Sequence, residues 1–385
     1  MPEPSFLPPS PYTRVRDVVA AHAPAAERER RLSPQAVRAL TEAGLVRFFV
    51  PEAFGGAGGG FTGLLHAVTE VSQGCAAAGW CASLFASHAR MAAFLPLAGQ
   101  KEVWAGGPDA LISAAIVPSG TAEAVPGGWR LSGEWGFVSG VDFADWALLS
   151  AREPGEEGRL RFFAVPSARW TVRDTWFSVG LRGTGSRTVV LDSVFVPGHR
   201  SFLQQALLEG AAVAAGPQGP ARCHRVPFRL VSGLSLMAPA LGAARAGLDA
   251  FGAGMRTRTE TLMGRRVRSR DKESVHCALA RAAAALDAAE LLLARTAGVA
   301  DGDAPVGAEQ VARSQRDCAV AAEWVTDAVE LLQRTAGARA QGSDHPLQRA
   351  WRDVHAATSH AALQLQPNAA VYARQVLGGD APPAA

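Results

Sequence analysis

The most informative part of this chain is the segment LSGEWGFVSGVDFADW, which runs from Leu131 to Trp146. Apolar and polar residues alternate in it with a period of two, and glycines interrupt the pattern. Short runs rich in β-branched and aromatic residues surround it, separated by Gly, Pro and charged turns. This pattern predicts a central all-β domain of the sandwich or barrel type.

Helical spacing precedes this β region. From about Val15 onward, apolar residues recur at steps of three and four, as on one face of a helix. Ser33 and Pro34 predict the start of one of these helices, with Ser as N-cap and Pro in the first turn. Gly44 is expected to end it.

Helical spacing also follows the β region. Residues 203–226, which contain GPQGP, are interpreted as a surface connection. From Pro227 onward, long alanine-rich segments with narrow apolar stripes predict an antiparallel helical bundle. The expected fold is therefore α+β and mostly helical. Its predicted parts are an N-terminal helical domain (1–115), a central β-domain (116–205) and a C-terminal four-helix bundle (206–385).

Composition excludes several functional classes. The chain has 385 residues and a formal net charge of +3, too small a charge to favour nucleic acid or an anionic membrane as partner. Its five cysteines are scattered without CxxC spacing, which argues against a disulfide framework or a zinc site. The Pro-rich start lacks the apolar region of a secretory signal, and no apolar run is long enough to span a bilayer. We expect a cytoplasmic protein with no metal site.

The glycine-rich segment from Gly55 to Gly60 invites comparison with a nucleotide-binding loop. It follows a helical turn rather than a strand, and no Lys-Ser or Lys-Thr pair comes after it. We interpret it as a turn, so the chain has no recognisable site of its own for a nicotinamide cofactor.

The Leu131–Trp146 segment resembles, position by position, a stretch of the acyl-CoA dehydrogenase fold. In that fold a W-I-T triplet lies against the flavin ring. Phe137, Val138 and Ser139 occupy the positions of the triplet here. An aromatic face can stack on the flavin ring, and a hydroxyl can hydrogen bond to flavin N5. Taken alone, the segment would be an ordinary strand ending in a serine.

Three motifs resemble one branch of that superfamily, the flavin-dependent monooxygenases that form the oxygenase components of two-component systems. They are SGVDFADW (139–146), AAAGWCASLFASH (76–88) and LQRAWRDVHAATSH (347–360). The resemblance covers the chain from about Arg28 to Leu377. Phe143 departs from the branch, which commonly has a histidine there. The segment from Gly180 to Pro197 resembles a strand pair of the same fold, and Arg182 and Ser186 in it are interpreted as turn-forming residues.

The C-terminal motif changes the chemistry that the fold implies. Acyl-CoA dehydrogenases carry a catalytic glutamate in this segment, and its place falls on Ala361 here. His360 precedes it, and an imidazole titrates near neutrality. The resemblance implies that the base of the dehydrogenase has been removed and that His88 and His360 handle protons instead. His355 is expected to be structural or to face solvent.

The last candidate is a basic run between two predicted helices, formed by Arg256, Arg258, Arg265, Arg266, Arg268 and Arg270. Its default interpretation is a solvated loop. The resemblance implies that the helix end here reaches the flavin phosphate, and guanidinium groups bind phosphate well. The expected cofactor-binding residues are Trp80, Phe137, Val138, Ser139, Arg256 and Arg258. The expected catalytic residues are His88, Ser139 and His360.

The resemblance implies a reduced-flavin-dependent monooxygenase. It would take FMNH2 or FADH2 from a separate reductase, add oxygen at flavin C4a to form a (hydro)peroxyflavin, and hydroxylate or N-oxygenate a small aromatic substrate. A role in natural-product biosynthesis and a homotetramer are implied as well. Two alternatives remain at this stage. One is an acyl-CoA dehydrogenase whose base has moved to Glu323 or Glu330, and the other is a non-catalytic interaction protein.

Overall fold

The computed structural model describes residues 10–155, 158–262 and 264–378. The Pro-rich start, from which we inferred that no secretory signal is present, lies largely outside the described residues. Within these ranges, no helix combines the length and the apolar character needed to cross a membrane.

Five helices precede the sheet. Ser33 caps the second, because its Oγ accepts a hydrogen bond from the N–H of Ala36 at 3.1 Å. Gly44 follows the end of that helix in the left-handed conformation, with φ of 76°, so both predicted ends are confirmed. The helices are α1 (Thr13–Glu29), α2 (Pro34–Glu42), α3 (Phe61–Gly74), α4 (Ala76–Ala92) and α5 (Leu97–Val103).

The central region is one seven-stranded sheet in the order β5-β6-β2-β1-β3-β4-β7. Strands β1 and β3 run parallel, and the other neighbours are antiparallel. Trp135 is fully buried in it and donates from Nε1 to the carbonyl of Ser150. The strands are β1 (Ile112–Val125), β2 (Gly128–Val138), β3 (Trp146–Arg152), β4 (Leu160–Pro166), β5 (Thr171–Arg173), β6 (Arg187–Pro197) and β7 (Ser201–Leu203).

The C-terminal part is a helical bundle in which α7 packs against α8, α9 and α10. Small side chains let the helices approach closely, because a Cβ added at Gly247 of α7 would lie 3.3 Å from Ala350 of α10. The elements are α6 (Gln204–Glu209), α7 (Phe228–Thr257), β8 (Thr259–Leu262), β9 (Arg265–Arg268), α8 (Glu273–Asp301), α9 (Ala308–Ala336), α10 (Pro346–Thr358) and α11 (Leu365–Leu377). The predicted fold class, α+β and mostly helical, is confirmed.

Two local predictions were wrong. The connection at 203–226 contains the short helix α6, whose Leu207 is buried against the sheet. The basic run is a two-stranded hairpin, β8–β9, rather than a loop. The sheet begins at Ile112, whereas the predicted β-domain begins at residue 116; the three domain ranges themselves stay predictions.

The glycine-rich segment leads into the N-terminus of α3. There the N–H groups of Phe61 and Thr62 donate to the two carboxylate oxygens of Asp301, at 2.6 and 2.8 Å. A helix N-terminus attracts anions because its first N–H groups have no partner within the helix. Asp301 of α8 already fills this position, which agrees with the interpretation of the glycines as a turn.

Candidate active site

Helix α4 and the end of β2 bring two predicted residues into contact. Trp80 donates from Nε1 to the Oγ of Ser139 at 3.1 Å. Both side chains are buried, and Ser139 is only 6% exposed. The main chain of Ser139 is held as well, because Ser113 of β1 donates from Oγ to its carbonyl at 2.8 Å. The Ser139 hydroxyl therefore has a fixed position.

Ser139 is the outer member of a chain of buried hydroxyl groups. Its Oγ lies 2.8 Å from the Oγ of Ser186, which lies 2.6 Å from the Oγ1 of Thr184. Thr184 Oγ1 in turn donates to the carbonyl of Leu181 at 2.9 Å. Ser186 is thus not only a turn-forming residue, as the sequence suggested; it connects Ser139 to the backbone of another segment.

The carbonyl at the inner end sets the direction of these hydrogen bonds. A hydroxyl has one proton and two lone pairs, and a carbonyl only accepts. The Leu181 carbonyl also receives the N–H of Thr184 and the Nε1–H of Trp176. With the Thr184 hydroxyl proton on that carbonyl, Ser186 donates to Thr184 and Ser139 donates to Ser186. Ser139 also accepts from Trp80, so it has one lone pair left and no proton to give.

Phe137 lies on the open side of this chain. Its ring is 80% exposed, and its backbone is left-handed with φ of 59°, which is uncommon and strained for a bulky residue. The ring packs edge to face with Trp176 at 6.2 Å. Phe177 and Val179, which follow Trp176 in the sequence, are exposed as well. The Phe177 ring packs under the guanidinium of Arg30 at 4.1 Å. Of the exposed apolar side chains, Phe137 is the one closest in sequence to Ser139.

Val138 differs from its two neighbours. Its side chain is fully buried in the core of the sheet, with Trp135 and Val141. A ligand could therefore reach the main chain of Val138 but not its side chain. The contact between the Val138 side chain and the flavin ring, which the aligned triplet suggested, does not fit the structure.

Gly140 keeps helix α4 close to Ser139. It is left-handed, with φ of 71°, and an added Cβ would come within 2.5 Å of the Phe85 ring of α4. Its N–H donates to the carbonyl of Thr184 at 2.8 Å. A larger residue here would push the helix away from the hydroxyl chain.

His88 is buried on α4, and its tautomer follows from its partner. Its Nδ1 lies 3.1 Å from the carbonyl of Ile112, so Nδ1 carries the proton and Nε2 has a free lone pair. Burial lowers the pKa of His88 to about 4, although the hydrogen bond to Ile112 opposes the shift. Ile112 is adjacent to Ser113, which anchors Ser139, so β1 connects both predicted residues.

His360 has the opposite arrangement. It follows α10, and its Nδ1 accepts from the N–H of Ala362 at 3.2 Å, which leaves the proton on Nε2 in the neutral form. His360 is exposed in this chain, yet the protein groups around its imidazole desolvate the ring and lower its pKa. Ala361, the next residue, has no group that could act as a base. Within the described residues, no hydrogen bond connects His360 to His88 or Ser139.

Helix α10 holds the segment that ends the hydroxyl chain. Asp353 accepts from the N–H of Leu181 at 2.6 Å, and Arg352 donates from Nη1 to the carbonyl of Val179 at 2.5 Å. Leu181 is left-handed, with φ of 51°. Burial raises the pKa of Asp353 to about 6, while the hydrogen bond from Leu181 lowers it. The Arg-Asp pair of the C-terminal motif thus fixes the backbone on which Thr184 depends.

The structure separates the two arginines that were expected at a phosphate. Arg258 donates from Nη1 to the carbonyl of Ala336, the last residue of α9, and its Nε lies 3.0 Å from Glu260. These contacts give Arg258 a structural role that the sequence did not predict. Arg256 is exposed and has no hydrogen-bond partner in the part of the chain that the structure describes.

His355 and Glu330 are engaged with each other and with Trp351. The His355 ring packs on Trp351 at 4.6 Å, and its Nδ1 lies 2.9 Å from the Trp351 carbonyl. Glu330 accepts from the Trp351 Nε1 at 2.7 Å. Glu323 is exposed on α9. Glu330 is thus tied to a structural contact, and His355 agrees with its expected structural role.

Comparisons with known proteins identify the family. The N-terminal domain model of acyl-CoA dehydrogenases matches residues 13–103, and the C-terminal domain model matches residues 234–365. The oxygenase component of an FADH2-dependent resorcinol hydroxylase from a Rhizobium species is 33% identical, over 94% of this chain and 92% of that protein. The flavin-dependent monooxygenase oxygenase subunit HsaA of Rhodococcus jostii is 31% identical, over 86% and 88%.

This chain belongs to the flavin-dependent monooxygenases of the acyl-CoA dehydrogenase fold. It is an oxygenase component of the two-component type. A solved structure agrees: XiaF from a Streptomyces species, determined in complex with FADH2 and glycerol, has a TM-score of 0.88 at 29% identity, covering 96% of this chain and 94% of that one. The alternatives of an acyl-CoA dehydrogenase and of a non-catalytic protein are not supported.

The residues of this monooxygenase fit a flavin at Ser139. A large planar ring would cover the exposed aromatic side chain of Phe137, which is close to Ser139 in the sequence at the end of β2. The one open lone pair of Ser139 would then be available to a ring nitrogen. Trp80, Phe137 and Ser139 are the members of the predicted cofactor-binding set that the structure brings together.

Sequence reasoning missed Thr184 and undervalued Ser186. Their signal is the run GTGS at 183–186, in which two small hydroxyl residues flank a left-handed glycine at 185. Hydroxyl residues in such a run are common turn formers. Only the tertiary contact with Ser139 distinguishes the two interpretations.

Proposed function

We propose that this monooxygenase hydroxylates a small aromatic substrate, using FMNH2 or FADH2 supplied by a separate flavin reductase. The observation that carries the proposal is the buried Ser139 hydroxyl, held by Trp80 next to the exposed ring of Phe137. The names of the relatives support the substrate class, since one is a resorcinol hydroxylase oxygenase component that depends on FADH2.

Bound reduced flavin would supply the two electrons that activate oxygen, through the C4a adduct that the family resemblance implies. The protein would supply the surroundings. Ser139 would hydrogen bond to flavin N5, Trp80 would hold Ser139, and Phe137 would cover one part of the ring. Arg256 is our candidate for the phosphate, because its exposed guanidinium has no partner among the described residues while that of Arg258 is engaged.

The two imidazoles present opposite groups at Nε2, a lone pair on His88 and a proton on His360. His88 presents a lone pair at Nε2 and can accept a proton from a phenol or an amine. In the neutral form His360 carries its proton at Nε2, from which it can donate a hydrogen bond; it gives up a proton only from its imidazolium form. Burial lowers the pKa of both imidazoles, which favours the neutral forms in which His88 can accept and His360 can donate a hydrogen bond. Ala361 leaves no carboxylate for removing a proton from an acyl-CoA.

The experiment is a single-turnover reaction with a panel of phenols and indoles. The protein is mixed anaerobically with reduced FMN or reduced FAD and then with oxygen, while flavin absorbance and hydroxylated product are followed. We expect product from at least one aromatic compound, without any nicotinamide cofactor. If the protein instead reduces an artificial electron acceptor with an acyl-CoA, or binds neither reduced flavin, the proposal is wrong. Resemblance to natural-product hydroxylases makes polyphenolic intermediates the first compounds to test.

A further inference from the structure

We infer that Ser186 and Thr184 make this site selective for reduced over oxidised flavin, because they fix the direction in which the Ser139 hydroxyl points. The two are positioning residues and act through Ser139. The inference deepens the proposed function and rests on it, since it requires flavin N5 to lie beside Ser139.

The first step is the fixed direction of the hydroxyl chain. Thr184 Oγ1 donates to the Leu181 carbonyl, so Ser186 donates to Thr184 and Ser139 donates to Ser186. The Trp80 N–H takes one lone pair of Ser139. Toward any further ligand, Ser139 is therefore an acceptor only.

The second step is the chemistry of flavin N5. In reduced flavin, N5 carries a hydrogen and can donate it. In oxidised flavin, N5 has only a lone pair and can accept. If Ser139 Oγ is an acceptor, it can receive a hydrogen bond from N5–H of the reduced flavin. With the oxidised flavin, a lone pair of Ser139 Oγ would face the lone pair of N5, and no hydrogen bond would form.

The third step is burial, which prevents water from correcting the mismatch. Ser139, Ser186 and Thr184 are 6%, 5% and 2% exposed. A buried polar group without a partner has given up its hydrogen bonds to water and gained none in return. A polar group at the surface would keep its bonds to water, so the same mismatch there costs less free energy. The inner end is also held rigidly, because Asp353 fixes the Leu181 backbone.

The test compares flavin affinity in the two redox states. Dissociation constants for oxidised and for reduced FMN and FAD are measured anaerobically by equilibrium dialysis. For each variant, the constant for the oxidised flavin is divided by the constant for the reduced flavin, so that a high ratio means a preference for the reduced form. In Ser186→Ala the Ser139 proton loses its acceptor and can turn to oxidised N5. In Thr184→Val the proton of Ser186 is released, so Ser186 can donate to Ser139 with the same result. We expect either change to lower the ratio about tenfold.

Two matched controls should keep the wild-type ratio. Thr184→Ser retains the hydroxyl that donates to Leu181. Ser314→Ala removes another buried hydroxyl, one that donates to the Leu230 carbonyl in the helical bundle. Melting temperatures show which variants are folded; if Ser186→Ala is not, Thr184→Val decides.

The outcomes are distinct. A wild-type protein that binds no reduced flavin overturns the proposed function and this inference with it. A wild type that prefers reduced flavin, with the same preference in Ser186→Ala and Thr184→Val, overturns the inference alone. A ratio that falls in these two variants and stays high in both controls supports it.

Discussion

Ser139 is the residue at which three contacts meet. Its Oγ hydrogen bonds to Trp80 and to Ser186 of the hydroxyl chain, and it would hydrogen bond to the proposed flavin. We predict that Ser139→Ala lowers the product formed per oxygen consumed, with more hydrogen peroxide released instead. Loss of one hydrogen bond of about 1 kcal/mol corresponds to a change of about fivefold in the competition between hydroxylation and peroxide release. Product and peroxide are measured in the same single turnover.

Ser314→Ala is the control for this change as well, since its hydroxyl is equally buried but donates to the Leu230 carbonyl instead of joining the hydroxyl chain of Ser139. If Ser139→Ala couples oxygen to product as well as the wild type does, Ser139 does not contact the flavin in the reactive state.

The two imidazoles give a second prediction. We expect His360→Ala to lower hydroxylation by about 10²–10⁴-fold, the usual value of general acid–base catalysis. Binding of reduced flavin should change little, because the proposed ring contacts are Trp80, Phe137 and Ser139. The pH profile of product formation is measured together with the rate. His355→Ala is the control, because His355 packs on Trp351.

A wild-type rate and pH profile in His360→Ala would show that His360 only caps the turn at Ala362, and that proton transfer depends on His88 alone.

Helix α10 shows how one element supports the site from outside it. Asp353→Ala would leave the Leu181 N–H buried and without a partner, at a cost of about 1–3 kcal/mol. Asp353→Asn keeps an acceptor oxygen and removes a buried charge. We predict that Asp353→Ala melts several degrees lower than the wild type at pH 7, and that Asp353→Asn melts close to it. Equal melting of both variants would mean that this hydrogen bond contributes nothing to stability.

The sequence predicted the elements where its local pattern was strong. The alternation at Leu131–Trp146 predicted β2, and Ser33 with Gly44 predicted both ends of α2. The basic run was wrongly taken as a loop, because arginine-rich hairpins carry no apolar alternation. The role of Arg258 depends on Ala336, 78 residues away, and no local pattern records such a contact.

The site was predictable only in part, for the same reason. Ser139 and Trp80 came from motifs that the family shares. The direction of the Ser139 proton, and with it the roles of Ser186 and Thr184, depends on a turn that α10 holds from the other end of the chain. A left-handed leucine such as Leu181 has no sequence signature, since the strain is offset by tertiary contacts.

For the whole molecule, buried titrating groups predict a loss of stability in mild acid. Burial lowers the pKa of His88 and of His224 to about 4, so between pH 6.5 and 4 the unfolded chain binds protons that the folded chain does not. Asp353, with its pKa raised to about 6, acts in the opposite direction. Two imidazoles outweigh one carboxyl, and we expect the free energy of unfolding to be about 2–3 kcal/mol lower at pH 5 than at pH 7.

The variant that checks this is His224→Gln, because Gln can still donate to the Phe49 carbonyl that His224 contacts at 2.7 Å. It should remove much of the loss between pH 7 and pH 5 in urea unfolding. His276→Gln, at an exposed position, is the control. If the free energy of unfolding is the same at pH 5 as at pH 7, or higher, then His88 and His224 are not kept neutral by burial.

The bundle also predicts an assembly. Leu291 of α8 is 71% exposed, and Leu279 and Trp324 are exposed on α8 and α9. Exposed apolar side chains such as these are expected at an interface between copies. We predict a dimer or tetramer in light scattering, and a shift toward smaller species in Leu291→Glu. Phe195→Glu, at an exposed position on β6, should leave the mass unchanged. A monomeric wild type at micromolar concentration would contradict this.

The contact between Asp353 and Leu181 has a consequence for folding during synthesis. It joins residues 172 positions apart, and Arg352 reaches Glu27 across 325 positions. Helices and sheet can form as the chain leaves the ribosome, N-terminal part first. The turn that orients Ser139 cannot be locked until α10, near the end of the chain, has emerged. A nascent chain that does not yet include Asp353, or one cut before it, would have the hydroxyl chain without the contact that holds its inner end.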